Sequence, residues 1–485
     1  MRPVQKKHHH PRSILSVKKQ AKQNQVIKKA PKQQSSCFEV AGNKVYFISL
    51  GCPRNLVDSE VMLGILLKAG YEPGKTLEGS DYIIINTCGF LEASRDESLQ
   101  SIQDSLKNKK KLAKVIVTGC MVRSHSAQIQ EKFPEVDYLL GAGDVEKILA
   151  AVESQEKGSV ISSAKSYLEA GEVPRQLSTP KHYAYLKIAE GCRKRCAYCI
   201  IPDIKGPLQS KSVERIVKEF QTLLDQGIKE IILIAQDLGD WGKDLGYRNT
   251  EGLIHVLKEL LKIEGDYWLR LLYLYPDEIT DELIELMKSD KRICSYLDMP
   301  IQHINNEMLK SMYRATSKEK IVDTLVKLRA AIPEITVRTS LIVGYPGETE
   351  AQFNELVDFV KTYKLDNVGV FKYSQEAGSK AAELPDQIAD EVKQQRYEVL
   401  MKAQQEVVAQ NNASQVGKTL EVVIENYHPE TNLLMVARHR GQCPEIDSQI
   451  IINDASKVSA FGERYLVKIT DVAGYDLIGA AIKKL

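Results

Sequence analysis

The chain predicts an α/β protein in three parts: an N-terminal α/β domain on a parallel sheet, a central open barrel of six strand-helix units, and a small C-terminal β-barrel. Three observations point there. Short apolar runs alternate with helical periodicity from Lys44 to about Asn411, the pattern of a parallel sheet covered by helices. That alternation breaks once, at the polar stretch 155–181 with Pro174 and Pro180, and then resumes for six further units, enough to curve a sheet into an open barrel. Beyond Lys418 the helices stop and short strands follow one another, as in a small barrel. The resulting boundaries are 1–40 for a basic tail, 44–154, a linker at 155–181, 182–412 and 413–485.

The tail comes first. Residues 1–38 hold ten Lys and Arg, His8, His9 and His10, and no acid, so the remaining 56 basic and 64 acidic residues leave a body of net charge −8. With few large apolar residues the tail cannot bury enough surface to fold alone and is expected to be disordered. It reads as an arm for polyanions such as ribosomal RNA or as an unconstrained extension; a mitochondrial presequence would be richer in arginine than Arg2 and Arg12 make it. The chain of 485 residues, 43% hydrophobic and 27% charged, suits a soluble protein of about three domains. It has no apolar run near the roughly 20 residues that span a bilayer, and nine cysteines without a secretion signal suit a reducing compartment. A cytoplasmic monomer with no membrane contact is expected.

The N-terminal domain opens with the strand Val45 to Leu50, ended by Gly51-Cys52-Pro53 and followed by a helix whose Val61, Ile65, Leu66 and Ala69 share one face. The pattern recurs twice: Tyr82 to Ile85 runs into Asn86-Thr87-Cys88-Gly89, and Val115 to Thr118 into Gly119-Cys120. Each cysteine thus follows a parallel strand, at the sheet edge where open α/β folds place ligands. Spacings of 36 and 32 residues are one strand-helix unit each, so Cys52, Cys88 and Cys120 can meet as ligands of a metal cluster. A helix from Val145 to Ser154 precedes the linker.

The central domain starts with the apolar run Tyr183 to Ala189 and the stretch Gly191-Cys192-Arg193-Lys194-Arg195-Cys196-Ala197-Tyr198-Cys199. Three cysteines spaced C-x3-C-x2-C can fill three of the four iron positions of a 4Fe-4S cube and leave one iron open for a ligand. A zinc knuckle would want a fourth ligand nearby, and no His lies between His182 and His255; three buried core cysteines are the plainer alternative. Further strands read at Glu230 to Ala235, Trp268 to Tyr273, Ile293 to Asp298, Ile335 to Val343 and Asn367 to Tyr373. Polar residues at their C-terminal ends are candidate cofactor contacts: Gln236 and Asp237, Gln302 and His303, and the glycine-rich turn Thr339 to Thr349 that includes Ser340. Thr349 to Gln352 fits a capping box for the helix that follows. A helix from Asp386 to Asn411 closes the region, and strands at Leu420 to Glu425, Leu433 to Arg438, Ile450 to Ile452 and Tyr465 to Ile469 build the last barrel.

The C-x3-C-x2-C stretch resembles the signature of the radical S-adenosylmethionine superfamily. The whole of Lys44 to Leu485 resembles the methylthiotransferases, with a TRAM-like barrel at the end. Within that family Ser49-Leu50-Gly51-Cys52-Pro53-Arg54-Asn55-Leu56-Val57-Asp58-Ser59-Glu60, Tyr296-Leu297-Asp298 with Gln302-His303, Phe371-Lys372-Tyr373-Ser374 and Pro444-Glu445-Ile446-Asp447 look like the RimO-type branch. The chain departs from that branch at Ile204-Lys205-Gly206-Pro207, Ile304-Asn305 and Cys443. The resemblance implies two 4Fe-4S clusters, one on Cys192, Cys196 and Cys199 and one on Cys52, Cys88 and Cys120, and S-adenosylmethionine contacted by Tyr198, Gln236 and Ser340. It implies a methylthio group added to the β-carbon of an aspartate in ribosomal small-subunit protein twelve, with a flavodoxin or ferredoxin as electron donor and a separate sulfur donor. Because an aspartate β C–H has no useful acidity, the cofactor rather than a side chain must supply the reactivity, through a 5'-deoxyadenosyl radical, and no catalytic acid or base is singled out.

Two rivals stand beside this reading. The MiaB-type sister branch modifies a tRNA adenosine and would suit a basic C-terminal barrel, whereas residues 418–485 hold eight Lys and Arg against nine Asp and Glu. The other is an iron-sulfur electron carrier or RNA-binding scaffold, of which a carrier would gain from fully ligated clusters. A basic protein substrate fits the charge better, and Glu421, Glu425, Glu445 and Asp447 are candidates for steering it, with Arg438 and Arg440 limiting the patch. For the tail, deleting residues 1–37 should leave iron content and S-adenosylmethionine cleavage intact. Any effect on modification should appear only with assembled ribosomal particles and fade as salt rises, since phosphate contacts release counterions; a deletion variant that fails to fold would refute the disordered arm.

Overall fold

The structure is a computed structural model that describes residues 12–13, 42–162, 167–169 and 174–485, so most of the predicted tail lies outside the described residues. The chain divides into two compact units: Met1–Thr179 with the short segment Asp203–Gly206, and Pro180–Pro202 with Pro207–Leu485.

In the first unit the strands Lys44–Ser49, Tyr82–Thr87, Lys114–Gly119, Tyr138–Gly141 and Gly158–Val160 lie side by side in chain order and all parallel. Arg12–Ser13 adds antiparallel to the edge at Ile48 and Ser49, and Glu72–Pro73 pairs beside Lys44 and Val45. The central strands are apolar on both faces, as a sheet covered on both sides requires. Ile84 and Ile116 pack on one face with Val61, Leu66 and Ile148, while Ile83, Ile85, Val115 and Val117 pack on the other with Leu99, Ile102, Met121 and Ile129.

The predicted linker is partly built into this unit. Gly158–Val160 completes the sheet, a strand too short for its periodicity to show. Further on, the buried Glu60 accepts from Arg175 at 2.7 Å and from both the backbone N–H and the hydroxyl of Ser178 at 2.7 Å. This straps 174–178 onto the helix Pro53–Lys68. Gly64 on that helix admits the strap, because a Cβ there would fall 2.5 Å from the Pro174 carbonyl oxygen.

In the second unit six strands, Tyr183–Lys187, Glu230–Ile234, Trp268–Leu271, Ile293–Asp298, Thr336–Val343 and Asn367–Lys372, form one parallel sheet in strict chain order, the open six-unit barrel expected. The capping box is realised, with the Thr349 hydroxyl accepting from the Gln352 N–H at 3.3 Å and Gln352 Oε1 from the Thr349 N–H at 2.9 Å. The long helix is Asp390–Ala413. The C-terminal barrel closes with five strands, not four: Thr419–His428, Thr431–His439, Ile450–Asp454, Arg464–Ala473 and Asp476–Lys484. The fifth has Gly479, Ala480 and Ala481 at its centre and so lacked the β-branched signature of a strand.

Buried charge pairs join this barrel to the central strands. Glu230, the first residue of its strand, pairs with Arg270 at 2.7 Å and with Arg438 at 2.6 Å, and Arg438 also pairs with Glu425 at 2.7 Å. His182 stands 3.1 Å from Glu425, Arg338 pairs with Asp298 at 3.0 Å, and Asp447 lies 3.5 Å from Arg338. Burial would raise the Glu425 carboxyl, but Arg438 and His182 outweigh it and hold it down at about 2. Of the acids expected to steer a basic substrate, Glu425 and Asp447 are committed to these pairs, whereas Glu421, partly exposed, pairs with Arg464 at 2.8 Å and Glu445, exposed, accepts from the Tyr183 hydroxyl at 3.0 Å. The sequence shows charge but not pairing. Replacing Glu230→Gln leaves two buried guanidinium groups short of a counter-charge; denaturant unfolding should show a loss of about 3–5 kcal/mol.

Candidate functional site

The first unit brings the ends of three adjacent strands together, and each of the three cysteines there has a glycine beside it. Gly51 adopts φ 84° before Cys52, and a Cβ on it would fall 2.9 Å from Cys88 Cβ and 3.1 Å from its sulfur. Gly89 faces the third loop, where a Cβ would meet Met121 Cα at 2.7 Å. Gly119, at φ 102°, would meet the Thr87 carbonyl oxygen at 2.5 Å. Only a missing side chain lets the three loops approach this closely.

One amide then ties all three. Asn55, in the first turn of the helix Pro53–Lys68, donates from Nδ2 to the Leu50 carbonyl at 3.0 Å and the Thr87 carbonyl at 2.9 Å, while its Oδ1 accepts from Cys120 Sγ at 3.6 Å. Asn86 repeats the device a layer below, donating to the Asn55 carbonyl at 2.8 Å and the Ser59 hydroxyl at 2.9 Å. The thiols do not share one environment. Burial raises Cys52, but Arg54, the Asn55 N–H and Lys205 outweigh it and bring the thiol below its usual value; burial and the neighbouring Cys52 push Cys88 up. Lys205 itself is buried against Asp58 at 3.2 Å.

In the second unit the C-x3-C-x2-C loop follows the short strand Ala189–Glu190, which pairs with Gln209–Ser210. Ala197 fixes the loop through its backbone, its N–H donating to the Met312 carbonyl at 3.0 Å and its carbonyl accepting from the Ala381 N–H at 2.8 Å. Lys194 anchors the other end, its ammonium 2.9 Å from Glu278, 3.2 Å from Asp237 and 3.5 Å from Asp240. Burial, with Asp240 and Glu278 beside it, raises Asp237 to about 6 in spite of Lys194. Burial pushes the Cys192 thiol up to about 11, so metal ligation there must displace a proton. Cys196 Sγ lies 2.7 Å from the Tyr275 hydroxyl, and Arg314 Nη1 lies 3.9 Å from the same sulfur.

The expected cofactor contacts fall into two groups. Tyr198 sits within the loop, its hydroxyl accepting from Arg314 at 3.4 Å. Gln236 donates to Glu190 at 2.8 Å, and its buried Oε1 has no partner among the described residues, an acceptor left over for a donor on a bound molecule. Ser340 shares a strand face with Arg338 and accepts from the Gln302 N–H through its carbonyl at 2.8 Å. Asp237 is taken up by Lys194 and by the Gly239 N–H at 3.0 Å. His303 is structural: Nδ1 accepts from the Asn305 N–H at 3.0 Å, so Nε2 carries the proton it shares with Glu348 at 3.1 Å. Gly344 makes room for Lys393 rather than for a cofactor.

Asn55, Asn86, Tyr275 and Arg314 escaped the sequence reading because amides, a tyrosine and an arginine carry no spacing signature. Their nearness to the cysteines, Asn55 three residues after Cys52 and Asn86 two before Cys88, was the one hint for the amides.

Comparison with known proteins follows the same division. Residues 44–141 match a family described as uncharacterized protein family UPF0004, residues 186–360 the radical SAM superfamily, and residues 416–482 the TRAM domain. The chain is 65% identical to "Ribosomal protein uS12 methylthiotransferase RimO" of Protochlamydia amoebophila (strain UWE25), over 95% of this chain and 97% of that one. Proteins of the same name from Chlamydia felis (strain Fe/C-56) and Bdellovibrio bacteriovorus (strain ATCC 15356 / DSM 50701 / NCIMB 9529 / HD100) are 59% and 44% identical, each over 92% of this chain and over 97% and 99% of theirs. Among solved structures, the radical S-adenosylmethionine methyltransferase TsrM from Kitasatospora setae aligns with a TM-score of 0.52 at 15% identity, covering 71% of this chain and 78% of that one, a likeness of fold. Since Asn55 bonds to the Leu50 and Thr87 carbonyls of the first two cysteine loops, Asn55→Ala should lower the iron retained by reconstituted protein while S-adenosylmethionine cleavage persists. Iron assay and product chromatography check this, and full iron retention would contradict the role given to Asn55.

Proposed function

We propose, from the premise that this chain belongs to the RimO family of ribosomal protein uS12 methylthiotransferases, that it adds a methylthio group to an aspartate β-carbon of that ribosomal protein. The carrying observation is 65% identity across nearly the full length of both chains, together with the three matched segments in family order. The tRNA reading is not favoured: the relatives compared carry the uS12 name, and the C-terminal barrel has no excess of positive charge with which to hold phosphates.

The donor sets fit the groups the reaction needs. Cys192, Cys196 and Cys199 offer three thiols in a loop fixed at both ends, and Cys52, Cys88 and Cys120 offer three at one sheet edge. Each set would hold a 4Fe-4S cluster with one open iron. When bound, the first would reduce S-adenosylmethionine to generate the hydrogen-abstracting species, and the second would hold or deliver the sulfur.

The rest falls to the chain. Tyr198, Gln236 and Ser340 would contact S-adenosylmethionine, the unpartnered Gln236 Oε1 being suited to its amino or ribose donors. Lys194, held by three carboxylates, keeps the loop from relaxing when the ligands load. Buried Met308, Met312, Tyr345 and Tyr373 beside Ala197 keep water from that side of the loop. Electrons would come from a flavodoxin or ferredoxin and sulfur from a separate donor, with the enzyme acting as a cytoplasmic monomer. Among the described residues no helix is long and apolar enough to cross a membrane.

Reconstituted protein should carry about eight irons per chain, and replacing Cys192, Cys196 and Cys199 by Ala should halve that and abolish S-adenosylmethionine cleavage. Unchanged iron in the triple variant would sink the ligand assignment. Mass spectrometry of the host's small-subunit proteins, with and without the gene, should show the methylthio mass on protein twelve only when the gene is present.

A further inference from the structure

We infer that Tyr275 and Arg314 form a pair that sets the reduction potential of the cluster held by Cys192, Cys196 and Cys199, by donating a hydrogen bond and positive charge to the Cys196 sulfur. The inference rests on reading those cysteines as cluster ligands and asks something further of them: what lies behind one particular sulfur.

The geometry singles out Cys196. Its sulfur is 2.7 Å from the Tyr275 hydroxyl, and a ligating thiolate has no proton to give, so the phenol must be the donor. The same phenol ring lies under two cations, with Lys194 Nζ 4.3 Å and Arg314 Cζ 3.4 Å from its centroid. Positive charge against the ring face draws electron density from the oxygen and strengthens its O–H as a donor. The two cations differ in what they have left to offer. The Lys194 charge is spent on Glu278, Asp237 and Asp240. Arg314 is buried and forms no ion pair among the described residues, although Asp277 lies near enough to feel its charge. It donates instead to the neutral Pro300 carbonyl and Tyr198 hydroxyl and leaves its Nε without a partner. A buried guanidinium without a carboxylate is costly unless a negative group faces it. A thiolate-bound cluster, with Arg314 Nη1 3.9 Å from one of its sulfurs, is such a group.

A donor and a cation beside the sulfur stabilise the state with more negative charge. The cluster that has taken up one electron gains more than the oxidised one, and the potential rises. No protein bond forms or breaks. A tenfold change in the reduction equilibrium corresponds to about 59 mV for a one-electron couple.

The test is a reductive titration of the full-length, reconstituted holoenzyme, followed by electron paramagnetic resonance of the signal that changes on adding S-adenosylmethionine. Tyr275→Phe, and separately Arg314→Met, should keep wild-type iron and move that midpoint in the negative direction by about this amount, with the other cluster's signal unmoved. Unmoved midpoints with iron intact would overturn the inference. Should Tyr275→Phe shed iron, Arg314→Met decides, since it leaves the phenol in place: an unmoved midpoint overturns the pair, and so does loss of iron from both variants, which would make it a clamp for the loop. A wild-type signal indifferent to S-adenosylmethionine would instead sink the cluster reading itself.

Discussion

Three sulfurs can meet at one sheet edge only where three backbones touch, and the first unit is organised around that contact. Parallel strands stand roughly 4.8 Å apart, and a side chain on each turn would hold their loops further apart still. Gly51, Gly89 and Gly119 remove those side chains beside Cys52, Cys88 and Cys120, and Asn55 fills the polar space that is left with donors and an acceptor the loops can use. The helix that carries Asn55 is in turn fixed by Glu60 and the strap over Gly64. The cysteines are therefore positioned by packing that reaches well beyond them.

The second unit separates chemistry from support along its strands. At their C-terminal ends lie the cysteine loop, Gln236, Tyr275 and the carboxylates around Lys194. At their starting ends lies the ionic network of Glu230, Arg270, Arg438 and Glu425, shared with the C-terminal barrel. Buried ion pairs are weak grounds for net stability but strict about geometry, since removing one member strands the others. That barrel is thus a fitted base for the strands, and Glu425 and Asp447 are its partners in that contact.

Much of this was legible in the sequence, for reasons that can be named. Strands such as Tyr82–Thr87 and Ile293–Asp298 declared themselves because both of their faces are buried and the residues read as an unbroken apolar run. The two cysteine triplets were visible as spacing, and the capping box as a pair of polar residues three apart. What stayed hidden was whatever depends on a partner distant in the chain. Gly158–Val160 is a strand only because Tyr138–Gly141 is there to pair with it, and Asp476–Lys484 only because a barrel must close. The roles of Glu425 and Asp447 turned on arginines that come from other strands, and His303 became structural through Glu348, 45 residues away.

The closure of the C-terminal barrel also bears on the order in which the molecule can be made. Its fifth strand, Asp476–Lys484, pairs in parallel with Ile450–Asp454 and antiparallel with Arg464–Ala473, so both of those strands keep an open edge until Asp476–Lys484 has been made. The first unit can settle early, lacking only Asp203–Gly206, whereas the network under the central strands must wait for Arg438 and for a closed barrel to hold it. A chain cut short by a dozen residues would thus present unpaired strand edges, the kind of surface that aggregates and is degraded.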